Sequence, residues 1–231
     1  MLTGVPSIFP VRGQPDHDRD YRHPRMRSEK SSKRDPAKAR QDILNAPVAR
    51  SPTVLPSTVP RPPKGADEWD LLPPLLEVID SVNYFTRHYF QLGFIHKPSF
   101  PEQLRRNHRS VSVFLLLSLL SVSARLTPSL IERYGGSVQA AEVFMERASH
   151  VALNELYREP TLERCQAFYL LSISQQGSGL KYRSSINFGI ALKIATILQL
   201  HREETYALTN PTPELIIQAE SARRTLVSLV P

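Results

Sequence analysis

The sequence predicts an all-α fold: an irregular helical bundle of about seven helices behind a disordered basic, Pro-rich N-terminal segment. From Trp69 onward, apolar residues recur at helical spacing in segment after segment, while no alternating strand pattern or Asn-Gly hairpin signal interrupts them. Proline, threonine and glycine stand where such helices start and stop. Composition then divides the chain. Up to Glu68 it holds 11 of the 20 prolines, two aromatics (Phe9 and Tyr21) and 13 basic against 8 acidic residues, whereas the remainder carries 16 against 14. Residues 1–68 are therefore expected to be a disordered basic, Pro-rich linker, with too little apolar area to offset backbone entropy. Residues 69–231 are expected to be the helical domain, long enough for a core.

Two parts of the first segment differ. A basic run holds Arg25, Arg27, Lys30, Lys33, Arg34, Lys38 and Arg40, and Pro47 to Pro63 is a spacer favouring extended conformations. Lys and Arg clusters of this kind suit a nuclear import receptor or phosphate contacts; the plain alternative is a solvated linker, since Asp16, Asp18, Asp20, Glu29 and Asp35 dilute the field.

The first helix is expected from Pro74 to about Phe90, where Leu75, Val78, Ile79, Val82, Phe85, Tyr89 and Phe90 fall at helical spacing. Gly93 ends it, and Phe94-Ile95-His96-Lys97-Pro98-Ser99-Phe100-Pro101 reads as a non-helical connection tucked inward. A leucine-rich helix follows from about Ser110 to Leu126. Fifteen residues separate Arg109 from Arg125, short of the roughly 20 that span a bilayer, so this is a buried helix and not a membrane anchor. After a turn around Leu130 to Tyr134, an amphipathic helix runs from Ser137 to Tyr157, with Val138, Ala141, Phe144, Met145, Ala148, Val151, Ala152 and Leu156 on its apolar face.

Two apolar helices come next. One starts at Leu162 behind Thr161, whose hydroxyl suits an N-cap, and Gln175-Gln176-Gly177-Ser178-Gly179 breaks it. The other, about Ser185 to Leu200, carries Lys193 as its only charge. Being apolar on nearly every side, it is expected to be the central helix of the core. A last helix follows Pro213.

Few features point to catalysis. Cys165 is the single cysteine, inside an apolar helix, and reads as a buried core residue. The seven histidines form no metal-ligand spacing, and no aspartate-rich helix face or Gly-x-Ser-x-Gly elbow occurs. Gly177-Ser178-Gly179 follows a helix and lacks a Gly-Lys-Ser/Thr ending, so a turn is the better reading than a phosphate loop. No catalytic, cofactor-binding or metal residue is assigned, and the expectation is a non-enzyme.

Several segments together resemble the fungal-specific transcription factor domain, the middle homology region of zinc binuclear cluster regulators. Tyr84-Phe85 to Tyr89-Phe90, then His96-Lys97-Pro98-Ser99-Phe100, are similar to its aromatic helix and His-x-Pro-x-Phe connection. Pro160-Thr161-Leu162, Gln166-Ala167 and Leu170-Leu171-Ser172 are similar to its next helix, and Gly189-Ile190-Ala191 through Leu200-His201-Arg202-Glu203 to the one after. Glu220-Ser221-Ala222-Arg223-Arg224 resembles the acidic-then-arginine helix that follows. The residues themselves read as architectural, His201 and Arg202 as a helix C-terminal cap and Arg223-Arg224 as a solvated or ion-paired face.

The resemblance implies a nuclear transcription regulator, with DNA as partner by family only. It implies zinc only for a six-cysteine DNA-binding module that one cysteine cannot supply. Protein partners, including a homo- or heterodimer, fit a helical regulatory domain. The alternative is a DNA-free protein-interaction or effector-sensing module. In the resembled family a Trp follows the Arg-Arg stretch and more helices come after it. Here Val227-Ser228, which the favoured intron start GTAAGT would encode, suggests a truncated product; transcript reads across codon 227 decide it.

Overall fold

Eight α-helices and no strand form among the described residues, 67–208 and 210–230 of the computed structural model. The basic run and the proline-rich spacer lie outside those residues. At the start of the described chain Asp67 caps a 3-10 turn, Glu68–Leu71, and pairs with Arg109 at 2.7 Å.

α1 (Leu75–His88) starts behind Pro73-Pro74 and buries Val78, Ile79, Val82 and Phe85, but it ends at His88, so Phe90 of the expected face lies beyond it and is exposed. Phe94 and Ile95 then turn inward as expected. The rest of that connection corrects the sequence reading, because α2 (Ser99–Asn107) begins at Ser99 behind Pro98. Proline is tolerated at a helix start, where its missing N–H is not needed. This helix is short and charged and presents only Phe100, Pro101 and Leu104 to the core, too few positions for a period to register.

α3 (Val113–Ser123) is capped by Ser112, whose hydroxyl accepts from the Leu115 amide. All eleven of its residues are buried. α4 (Pro128–Tyr134) replaces the expected turn. Pro128 opens it, and Gly135, at φ 75°, closes it in a left-handed conformation in which its own amide and that of Gly136 reach the carbonyls of Glu132 and Ile131. α5 (Ser137–Glu155) buries Ala141, Phe144, Met145, Ala148, Val151 and Ala152, while Val138 and Leu156 of the expected apolar face remain exposed.

α6 (Leu162–Gly177) starts as anticipated, with Thr161 accepting from the Arg164 amide at 3.2 Å. It continues through the expected break, since Gln175 is buried and hydrogen-bonds Ser149 and Asn187. Burial of a satisfied amide outweighs the turn preference of the glycines behind it. α7 (Lys181–Ile197) starts four residues earlier than expected and ends at Ile197. Gln199 (φ 55°) turns the chain away, so His201 and Arg202 lie beyond the helix end and do not cap it; Arg202 pairs with Glu204. α8 (Pro213–Leu229) is capped by Thr212.

The centre of the core is not where the sequence put it. α3 packs against α1, α5 and α6, and Phe114 meets Phe168 of α6 edge to face at 4.9 Å. α7 packs mainly on α6, with Cys165 against the Ala191 carbonyl and Asn187 beside Gln175, an antiparallel pair. Only Ser184, Ala191, Ile194 and Ala195 of α7 are buried. An all-apolar helix must be covered somewhere, but pattern alone does not say by what. Cys165 is a core residue as expected, its thiol pushed up to about 12 by burial.

Candidate functional site

Two surfaces stand out. The first is a cleft of about 980 Å³ between the Phe94–Asn107 segment, the start of α6 and the start of α8. Its walls include Phe94, Phe100, Leu115 and Leu162, with His96, Glu102, Arg106, Glu163 and Glu214 as the ionisable groups. His96 Nδ1 and the Ser99 hydroxyl share a hydrogen bond of 2.6 Å, and Arg106 pairs with Glu102 at 3.0 Å. At the floor, Glu163 Oε2 accepts from the Ser112 amide, joining the starts of α3 and α6. Gln166 is buried and donates to Ser221 and Thr225 of α8, and Ser221 in turn donates to the Phe94 carbonyl, so α8 is tied to both walls.

Burial holds the Glu163 carboxyl above its ordinary range, against the opposing pulls of the Ser112 amide and of Arg164. A carboxyl raised on folding contributes most to stability below its unfolded value, and that contribution declines as the pH rises through the folded value. Glu163→Gln, which keeps an acceptor for Ser112, is therefore expected to gain on the parent as the pH rises to neutrality and to lose the advantage on acidification. Urea midpoints across the acid range check this, and a constant difference would contradict it.

The second surface is the outer face of α7. Tyr182, Ile186, Gly189, Lys193 and Ile197 share it at helical spacing, and Leu192 borders it. Tyr182 is 89% exposed, Ile186 64% and Ile197 53%, far from what a core helix shows. A Cβ built on Gly189 meets nothing within 4 Å. Glycine inside a helix costs about 1 kcal/mol relative to alanine, and nothing within the described chain requires one there. Gly189→Ala is expected to raise stability by about 0.5–1 kcal/mol in urea titration; an unchanged or lower midpoint would mean that the space is needed by this chain itself.

Of the family-like residues, Arg223 and Arg224 form the ion-paired face the sequence suggested, whereas His201 and Arg202 lie past the end of α7. Arg223 pairs with Glu203 and Glu220 and lies 4.7 Å over the Tyr206 ring, while Arg224 binds Glu220 at 2.7 Å and holds that carboxyl below its usual range. Arg25, Arg27, Lys30, Lys33, Arg34, Lys38 and Arg40 lie outside the described residues. Among the described residues no three His, Cys, Asp or Glu side chains are placed to hold a metal ion, and no single helix is long and apolar enough to cross a membrane. Sequence reasoning did not single out Glu163 or the α7 face. The signal for the first was an acid in the opening turn behind Thr161, and for the second an apolar helix with a glycine at its middle.

Helices joined around a buried leucine-rich rod, with an open cleft and an apolar face left uncovered among the described residues, define an all-helical domain. The match to known sequences narrows this. The model of the fungal specific transcription factor domain matches residues 82–229, and the chain belongs to that family. An uncharacterized transcriptional regulatory protein of Schizosaccharomyces pombe (strain 972 / ATCC 24843) is 30% identical over 135 residues, 58% of this chain and 14% of that relative. The chain thus corresponds to a small part of that relative's length. No solved structure matches significantly.

Proposed function

We propose that this chain is a transcription regulator of the fungal zinc-cluster type, acting in the nucleus through a helical domain that contacts other macromolecules and performs no chemistry. The observation that carries this is membership of the transcription factor domain family over residues 82–229, supported by the name of the fission-yeast relative. The helical domain is taken as residues 69–231 and the basic, Pro-rich linker as 1–68. Arg25 through Arg40 then serve nuclear import or phosphate contacts.

Direct reading of bases is not assigned to this chain, because one cysteine cannot build a six-cysteine zinc cluster. A gel-shift assay at two salt concentrations tests the division of labour. Weak binding erased by salt is expected of the chain alone, since phosphate contacts without base contacts depend steeply on counterion release. Salt-resistant, sequence-selective, zinc-dependent binding would overturn it.

The cleft favours a second reading, an effector-sensing module. It combines apolar walls with a desolvated carboxylate, a fair description of a small-molecule site.

A further inference from the structure

We propose that the cleft between α2, α6 and α8 binds a small organic cation, an ammonium group on an aromatic or aliphatic body, with Glu163 as its counter-ion. This rests on the reading of the cleft as an effector-sensing site and names the class of effector. At about 980 Å³ the cleft lies at the upper end of the range for small-molecule sites, and Phe94, Phe100, Leu115 and Leu162 give it apolar wall. Most of its polar groups are already engaged. His96 and Ser99 bond each other, Glu102 holds Arg106, and Ser221 is taken by Gln166 and the Phe94 carbonyl.

Two oxygens are left over. Glu163 Oε2 accepts from the Ser112 amide, but its Oε1 accepts nothing among the described residues. Gln166 gives its amide nitrogen to Ser221 and Thr225, and its Oε1 likewise accepts nothing. Neither oxygen is sealed from solvent. The two residues stand three apart on α6, so they share a face, and both line the cleft. Gln166 is only 3% exposed, so a group that meets its oxygen must come in through the cleft. Arg164, next along, is committed to Glu155 at 2.7 Å and does not neutralise the site from inside. Two acceptors, one of them charged, match a primary ammonium, which has three N–H donors and no acceptor of its own. A stretch of polypeptide, from this protein or another, fits less well. Each of its residues brings a carbonyl as well as an amide, and the amide side chains that could answer carbonyls, Asn107 and Gln218, stand exposed at the rim.

The test uses the full chain at neutral pH and three probes of one shape: tryptamine, its alcohol tryptophol, and indole-3-acetate. Isothermal titration calorimetry is expected to give a Kd of roughly 100 µM for tryptamine and at least about tenfold weaker binding for the other two. Glu163→Gln, with its fold checked by urea titration, should lose about tenfold for tryptamine and leave it level with tryptophol. Gln218→Arg keeps Glu163 in place and changes only an exposed position at the rim. It should weaken tryptamine and strengthen indole-3-acetate, since a cation then stands beside the probe.

Equal binding of the three probes, unchanged in Glu163→Gln but altered in Gln218→Arg, overturns the choice of a cation and leaves the cleft an effector site. Tryptamine binding indifferent to both variants places the probe elsewhere on the molecule and overturns the proposal. Absence of binding by all three probes overturns it together with the effector-sensing reading. Tighter binding of a capped Gly-Lys-Gly peptide than of tryptamine overturns it as well, because the cleft would then belong to a polypeptide.

Discussion

Phe114→Ala is expected to lower the free energy of unfolding by about 3–5 kcal/mol, the usual effect of emptying an aromatic site in a core that cannot collapse around the gap. Phe114 lies in α3, is 1% exposed, and packs edge to face on Phe168, so its loss removes buried area and an aromatic pair together. Domains are stable by only about 5–15 kcal/mol, so the variant should be visibly destabilised and a large fraction of it unfolded at moderate urea. Ile186→Ala on the outer face of α7 is the matched control. Its side chain is mostly in solvent and the expected change is about 0.5 kcal/mol or less. Urea titration of both variants decides which helix is the centre of the core. A larger loss for Ile186→Ala than for Phe114→Ala would return that role to α7.

Glu155→Ala is expected to cost about 3 kcal/mol, because it strands a largely buried cation. The Glu155 side chain is 6% exposed and that of Arg164 14%, with Oε2 and Nε 2.7 Å apart. Arg158 reaches the same carboxylate at 2.9 Å but is more than half exposed. Once Glu155 is gone, Arg164 keeps one side-chain hydrogen bond among the described residues, to the Glu159 carbonyl, besides the charge of the adjacent Glu163. The pair fastens the end of α5 to the first turn of α6, on the side where Glu163 and the cleft begin. Replacing both partners, Glu155→Leu with Arg164→Met, should recover most of the loss, since apolar groups of similar volume need no partner. A double-mutant cycle measures the coupling. A loss below about 1 kcal/mol, as for exposed ion pairs, would show that water reaches the pair freely.

Both expectations depend on burial that the sequence only half discloses. The leucine-rich run between Arg109 and Arg125 was readable as a buried helix, because eleven residues without a charge have no face to offer to water. Thr161 was readable as a cap, since a hydroxyl behind a proline and ahead of a helical period has one obvious use. α2 was not readable: Ser99–Asn107 is polar on most positions and buries only Leu104 and Pro101 fully, with Phe100 half-buried against the core. Nor was the run of α6 past Ile173, because Gln175 is kept helical by Ser149 and Asn187, which lie in other helices.

Of the two candidate surfaces, the cleft was invisible for the same reason. Glu163, Ser112 and Phe94 meet only when α3, α6 and the connection before α2 are packed. The α7 face was half visible, since its apolar residues were plain and its exposure was not.

By itself, then, the amino-acid order determined the class, the positions of most helices and the family, because helical period, caps and motif spacing are local properties of the chain. Which helix lies at the centre, which carboxylate is desolvated and which apolar face is left uncovered were decided only by tertiary packing. Burial is a relation between segments: the same apolar helix is core when neighbours enclose it, as they do α3, and surface when only one side is met, as in α7.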